Sequence, residues 1–422
     1  MKIIEFAPYA FFKGHREFNK TTGAAFAIAD IAEGLAQENE VYLLTQSAIT
    51  KGFVSNKVNV IKRTWFDIFK NASLTHILDG IRAGRGIVAS WTYRLKIILY
   101  FLSQGHAESV LRELKPDIAH IESVGFYTLP FMRACLNCNI PFVISNHGLG
   151  LFLEEGELDK KQRNMELELY RLSGEKGLLI SCVSTGIIKR VCNTYGLSNN
   201  NIRKIGNCIG HFEPVISSEV EHLKTKYGID ENDKVIVCLG SICNNKNQIQ
   251  VARAYTLLDE KIKEHTKLIF LGTGPQEEVV KKFIIDKNVG NVFFAGYVEH
   301  EKLGVYYTVA DLNITASKDE GFGLPIIEGF SFGIPTVAFN DIDAVEDLYF
   351  EHGMYLATSR SDECLSETLL YGLDNCRKYN DLIYKESMRF NKQAMAQEYM
   401  NLFYDALTTP CLITSEELDN LL

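Results

Sequence analysis

No apolar run in this 422-residue chain approaches the roughly 18 residues needed to cross a bilayer as a helix; the longest, Ile97–Leu102, has six. A basic excess is missing too. The formal net charge is −9, which argues against a dedicated nucleic-acid binder, whose phosphate footprint requires surplus Lys and Arg. The ten cysteines carry no zinc-type pattern, since Cys135-Leu-Asn-Cys138 has no second pair and no spaced histidines. Met1–Phe6 is too short and too charged for a signal peptide and reads as a buried first strand. The cysteines therefore read as free thiols in a reducing, cytoplasmic setting. No G-x-G-x-x-G follows a strand and opens a helix, which disfavours a dinucleotide-dependent dehydrogenase. Short repeats and low-complexity tracts are absent. What remains, 46% hydrophobic and 23% charged, is a globular composition and excludes a disordered chain, a collagen-like repeat or a coiled coil.

Short apolar runs alternate with amphipathic stretches. Strands are expected at Lys2–Ala7, Val41–Thr45, Val58–Arg63, Asp117–Glu122, Pro141–Asn146 and Leu178–Val183. Helices are expected between them, at Thr22–Gln37, Arg94–Leu114, Phe126–Asn137, Glu157–Glu175 and Gly186–Tyr195. The pattern weakens around Ser198–Gly210, and Glu213–Tyr227 reads as a connecting stretch. Alternation resumes at Lys234–Leu239 and continues through Leu268–Leu271, Val292–Ala295, Leu312–Thr315 and Thr336–Phe339. This pattern predicts α/β architecture with parallel sheets covered by helices on both faces. Two doubly wound domains are expected, residues 1–209 and 210–390, with the last helical stretch (about 391–422) packing back on the first. The tail with Glu416, Glu417 and Asp419 is expected to be exposed.

Charge is distributed unevenly. Residues 51–115 hold 11 Lys and Arg against four Asp and Glu, together with both tryptophans, Trp65 and Trp91. Such a basic, aromatic segment suits contact with an anionic membrane surface or a phosphate-bearing, lipid-linked acceptor. An ordinary packed amphipathic helix is the plainer alternative.

The most informative segment is Ser317–Ala338. A strand ends at Thr315, Gly321 and Gly323 flank Phe322 in a loop, and Pro325 suits the start of a helix. A glycine loop that feeds a helix N-terminus offers backbone N–H groups to a phosphate. Glu328 would lie near that anion, within reach of a ribose, and Glu320 at the carboxyl end of a strand, where ligands of open α/β sheets sit; from composition alone Glu328 reads equally well as a solvated helix charge and Glu320 as a charge at the helix N-terminus. A glycosidase acid/base pair is not expected. Eight residues along a helix span about 12 Å, beyond the roughly 5 to 9.5 Å of such pairs. Asp341-Ile-Asp343 is read as a loop and not as a metal site, and no metal or resident cofactor is expected.

Glu320-Gly-Phe-Gly-Leu-Pro-Ile-Ile-Glu328, with Gly333-Ile-Pro335 after it, resembles the E-x7-E signature of retaining glycosyltransferase family 4. Gly240-Ser-Ile-Cys-Asn-Asn-Lys246, Leu271-Gly-Thr-Gly-Pro275 and Phe294-Ala-Gly-Tyr-Val298 resemble further landmarks of that family, and Asn207-Cys208 takes the place of its usual Asn-Gly. The resemblance implies the GT-B fold, two Rossmann-like domains facing across a cleft. It implies transfer of a sugar from a nucleotide-diphosphate donor such as a UDP-sugar or GDP-sugar to a saccharide or lipid-linked hydroxyl acceptor, in polysaccharide or glycolipid assembly.

By the same resemblance, Glu320 contacts donor-sugar hydroxyls, Glu328 holds the ribose, and the backbone of Gly321, Phe322, Gly323 and Leu324 cradles the diphosphate. Lys246 neutralises the leaving diphosphate, Ser241 and Val298 line the nucleotide site, Gly23 opens a phosphate-facing loop in the first half (from spacing alone a plain helix cap at Thr21 or Thr22 reads equally well), and His147 contacts the donor sugar. His120 reads as packed within its strand, and Glu122 as a group at a strand end that faces the acceptor. One position departs from the family: Ser241 stands where an arginine is usual, so the clamp needs another cation, for which Arg203 and Arg253 are conceivable. The departure leaves open a non-catalytic sugar-nucleotide-binding relative. A GT-B phosphorylase or an epimerase is a further alternative.

Overall fold

Consecutive residues of the predicted strands are buried together, Ile3 and Ile4 at 0% exposure, as in parallel sheets covered on both faces. The structure, a computed structural model, describes residues 1–8, 23–45, 57–61, 63–85, 91–148, 156–409 and 411–421. The expected phosphate-facing loop at Lys20–Thr22 and residues 51–56, 62 and 86–90 of the basic segment lie outside these. The chain divides into two compact units, Met1–Cys208 with Lys392–Leu422, and Ile209–Asn391.

The first unit holds seven strands: β1 (Lys2–Ala7), β2 (Glu40–Thr45), β3 (Asn59–Val60), β4 (Ile118–Glu122), β5 (Phe142–Asn146), β6 (Ile180–Cys182) and β7 (Ile202–Lys204). Their spatial order is β3-β2-β1-β4-β5-β6-β7, and every pairing is parallel. The second unit holds β8 (Lys234–Leu239), β9 (Thr266–Leu271), β10 (Val292–Gly296), β11 (Leu312–Ile314), β12 (Thr336–Phe339) and β13 (Met354–Ala357). Their order is β10-β9-β8-β11-β12-β13, again all parallel. Both sheets are doubly wound. Each runs outward from its first strand, then reverses, between β1 and β4 in one unit and between β8 and β11 in the other. Ligands of such sheets bind outside the strand carboxyl ends at the reversal.

The core of the first unit forms around Ile3, Ile28, Val41, Ile118 and Val143, closed by Tyr399 and Phe403 from the helix Lys392–Thr408. Lys392 anchors that helix to Asp30 (2.7 Å) and Glu33 (3.0 Å). In the second unit Ile236, Phe270, Leu312 and Val337 join Val251, Tyr255 and Leu369 from the covering helices.

Four expectations are corrected. Arg94–Leu114 is two helices, Trp91–Leu102 and Gln104–Leu114, separated at Ser103. Val58–Arg63 contributes only the two-residue β3. Glu213–Tyr227 is no mere connector: Ser217–Tyr227 is a helix whose Leu223 and Tyr227 pack on Val235 and Ile269. The tail is not an exposed coil. Ser415–Asp419 is a helix closed by a Thr414–Glu417 capping box, with Leu418 fully buried, Asp419 on Arg133 (3.1 Å) and Glu417 on Lys176 (2.8 Å). Charged letters at a chain end hid one buried leucine per turn.

Candidate functional site

The reversal point of the second sheet brings together two loops that are 74 residues apart in sequence. The loop after β8 carries Lys246 and the loop after β11 carries Glu320; Lys246 Nζ lies 2.5 Å from Glu320 Oε2. Ser317 Oγ donates to the same oxygen at 3.0 Å. Burial pushes the Lys246 ammonium down, and the charge and hydrogen bond of Glu320 more than reverse that, so the lysine stays firmly cationic. Asn245 stitches the loops together: its amide donates to the Asp319 carbonyl (3.1 Å), its side-chain oxygen accepts from Asp319 N–H (3.1 Å), and its carbonyl accepts from Lys318 N–H (2.7 Å).

Arg360, just past β13, braces the Glu320 loop from the other side. It forks onto Asp341 at 2.9 and 2.6 Å, donates to the Ser317 carbonyl at 2.8 Å, and lies over the Phe339 ring. Asp341 is thus a partner of an arginine, in the turn where the D-x-D letters fell. Neither Asn245 nor Arg360 was singled out from sequence. The available signal was positional, since both lie at strand carboxyl ends of an α/β sheet.

The glycines serve geometry. Gly323 caps the helix Leu324–Phe330 with φ +84°, a left-handed conformation that favours glycine. The Gly272 of the Gly-Thr-Gly motif lets the loop after β9 meet the loop after β8, because a Cβ there would stand 2.2 Å from the Gly240 carbonyl oxygen. Phe322 is buried edge-on against Phe390, so only its backbone is available to a ligand. Leu324 begins the helix and Gly321 precedes it in the bend, both half-buried.

Glu328 lies one turn into that helix and is 3% exposed. Its oxygens accept from His300 Nε2 (2.9 Å) and the Tyr307 hydroxyl (3.0 Å), and Phe212 stacks on His300. It shares no described hydrogen bond with Lys246 or Glu320. Ser241 is exposed and donates to the Thr273 carbonyl at 3.3 Å. Arg203 is on β7 in the other unit, donating to the Asn200 carbonyl, and Arg253 is in the last turn of Gln248–Thr256. Val298 follows β10, half-buried against the Leu223–Tyr307 cluster.

In the first unit His147 directly follows β5, its side chain 5% exposed, with Nε2 2.5 Å from Glu122 Oε2 at the end of β4. Asn146 sets this turn, accepting from Gly148 N–H at 3.1 Å and donating to Glu166 and the Tyr170 hydroxyl. Glu122 is fully buried and does not face outward as expected. His120 is packed as expected, on Tyr399 and Phe403. Gly23 is the exposed first residue of the helix Gly23–Leu35. Among the described residues, the grouping with metal-type spacing is Glu5, His120 and Glu122, within 4.8 Å of one another and wholly buried. An ion there would be structural and out of a substrate's reach.

Two family models match, "Glycosyltransferase Family 4" over residues 21–211 and "Glycosyl transferases group 1" over residues 219–388. The chain is similar to mannosylfructose-phosphate synthase of Agrobacterium fabrum, 27% identical over 47% of this chain and 48% of the relative. It is also similar to alpha-monoglucosyldiacylglycerol synthase of Acholeplasma laidlawii, 28% identical over 32% of this chain and 34% of the relative. The matches thus span half or less of these relatives' lengths. In fold it is similar to sucrose-phosphate synthase of Thermosynechococcus elongatus (TM-score 0.70, 15% identity, 97% of this chain and 100% of that one). A second likeness is to HepE of Anabaena with UDP and glucose (TM-score 0.65, 16% identity, 95% and 99%). The two doubly wound sheets are those of the GT-B fold, and the chain belongs to glycosyltransferase family 4.

Proposed function

We propose that this chain transfers a sugar from a nucleoside-diphosphate sugar to a hydroxyl of a saccharide or lipid-linked acceptor, with retention at the anomeric carbon. The observation that carries the reading is the Lys246–Glu320 pair at the reversal of the second sheet. A diphosphate held by the backbone of Gly321–Leu324 places its developing charge on Lys246, where a preorganised cation lowers the barrier. Glu320 accepts from donor-sugar hydroxyls. Glu328, with a lone pair left on each oxygen, accepts from the ribose beside Val298 and Ser241. The bond from the anomeric carbon to the diphosphate oxygen breaks as the acceptor oxygen bonds to the same face, and the acceptor proton passes to the departing diphosphate. Gly23 and His147 are the first unit's substrate-facing positions.

UDP is the first nucleotide to test, because the HepE structures hold it; GDP, ADP and CMP are the comparisons. Calorimetric titration without metal is expected to show one diphosphate binding, lost in Glu328→Ala, and transfer is expected to survive EDTA. Binding without turnover of any sugar would favour the non-catalytic relative, for which the uncharged Ser241 is the supporting observation. Release of an altered nucleotide-sugar without any acceptor would favour an epimerase.

We further propose that the first unit meets an anionic bilayer through the helices Trp65–Lys70, Leu74–Gly84 and Trp91–Leu102. Among the described residues no helix is long and apolar enough to cross a membrane. These three expose Phe66 (72%), Leu74 (70%) and Trp91 (70%), with Trp65, Phe69 and Leu78 about half exposed. Lys70, Arg82, Arg94 and Lys96 lie on the same helices. Of their acidic residues, Asp79 is already paired with Arg133. Each Lys or Arg near an anionic surface contributes about 1 kcal/mol, and Trp favours the interface. Flotation with phosphatidylglycerol vesicles is expected, with loss in Trp65→Ser/Trp91→Ser. No flotation of the wild-type chain refutes the contact.

A further inference from the structure

Parallel strands covered on both faces normally present apolar side chains, and one stripe of the first sheet does not. Glu5 on β1, His120 on β4, Ser145 on β5 and Ser181 on β6 are each at most 2% exposed. Glu5 is the register partner of His120, and Ser145 of Ser181. His120 Nδ1 lies 3.2 Å from Glu5 Oε1, and its Nε2 lies 2.6 Å from Ser145 Oγ. That hydroxyl is 2.6 Å from Ser181 Oγ and 3.4 Å from the Tyr399 hydroxyl. Glu122, two residues along β4 and so on the same face, ends the stripe. Its Oε1 is 3.5 Å from His120 Nδ1, and its Oε2 is 2.5 Å from His147 Nε2.

The two buried carboxylates are pushed in opposite directions. Burial pushes Glu5 up to about 7 against the pull of His120. Burial acts the same way on Glu122, but the pull of His120 and of His147, with the hydrogen bond from His147, outweighs it and holds Glu122 below the usual carboxylate range. Divergence of this kind separates the roles of paired acids. Glu122 is the ionised member and can only accept hydrogen bonds. Nε2 of His147 then supplies the proton, and in the neutral ring Nδ1 is the acceptor. That nitrogen is buried with no hydrogen-bond partner among the described residues.

We infer that Glu122 is a positioning residue that locks His147 in the Nε2–H tautomer, so that Nδ1 accepts a hydrogen bond from a hydroxyl of the sugar substrate. His120 supports the Glu122 charge from behind, and Glu5, Tyr399 and Phe403 hold the His120 ring. The substrate half of this inference rests on the glycosyl-transfer reading above; the tautomer half does not.

The test is nitrogen NMR on the full chain labelled at histidine, with the His147 signals identified by their loss in His147→Gln. Near pH 7.5 the expected spectrum has an unprotonated Nδ1 and a protonated Nε2 for His147. A protonated Nδ1, in the other tautomer or in an imidazolium, overturns the inference whatever the activity. Glu122→Gln, nearly isosteric, can both donate and accept, and is expected to release the tautomer. In a transfer assay it is expected to lower kcat at least about tenfold with donor KM moved less than about threefold, and Glu122→Asp is expected to recover part of the loss. Folded Glu122→Gln with an unchanged tautomer and kcat also overturns the inference. A chain that transfers no sugar at all refutes the functional reading and leaves the NMR result to decide this one.

Discussion

The two units solve one problem differently. In the second, the candidate groups Lys246 and Glu320 stand on loops beyond the strand ends, partly exposed, and the Glu320 loop is fixed by bonds to its backbone from Asn245 and Arg360. In the first, Glu5 and His120 lie within strands, wholly buried, and are fixed by one another. A site on loops is easy to charge, because water and a neighbouring side chain share the cost. A site inside a sheet must settle which groups give up their charge. Buried polar networks of the second kind specify protonation, and loop sites of the first kind specify access.

Three measurements test this contrast. The largest expected effect is on turnover. Glu320→Ala removes the partner of Lys246 and the proposed sugar contact, and transfer is expected to fall at least about 100-fold while the diphosphate affinity in calorimetry changes little. An equal loss in both would mean that Glu320 only braces the loop.

Next in size is the close approach that lets the loops meet. Gly272→Ala puts a Cβ 2.2 Å from the Gly240 carbonyl at a φ of +133°, and is expected to cost about 3 kcal/mol in urea unfolding. A variant within a few tenths of wild type would show that these loops give way easily.

The smallest effect is on stability against pH. The Glu5 carboxyl in the folded chain titrates near 7, raised from 4.5 by burial. Between those values the folded state keeps a proton that the unfolded state has released. Stability therefore falls as pH rises from 4.5 to 7 and stays lower above it. Glu5→Gln removes this dependence while keeping an acceptor for His120. Its stability relative to wild type is expected to rise across that window by on the order of 2 kcal/mol, measured by urea titration at several pH values. A difference independent of pH would mean that Glu5 stays charged throughout.

Much of the second unit's site was legible as letters. Gly321, Gly323 and Pro325 bracket a strand-to-helix turn in any context, and Glu320 and Lys246 fall at strand ends set by the runs Leu312–Thr315 and Lys234–Leu239. Their contact was not legible, because it spans 74 residues and depends on β8 and β11 being neighbours. Glu328 read equally well as a surface charge. Its burial comes from His300 and Tyr307, which the winding of the sheet brings against it from a separate helical segment. In the first unit the strands of Glu5 and His120 read as buried, but the contact between the two side chains was not legible, because it spans 115 residues and depends on β1 and β4 being neighbours.

The sequence alone determined the local elements and the alternation that makes both halves parallel α/β sheets, because apolar runs of strand length and helix-spaced faces act over a few residues. The family resemblance was likewise local, a glycine turn and two glutamates at fixed spacing, and the two matching family models show the family itself. The tertiary structure decided which strands lie side by side, which of the buried acids keeps its charge, and which arginine braces the Glu320 loop. Those outcomes depend on groups tens to hundreds of residues apart, whose burial and pairing exist only once the sheets have closed.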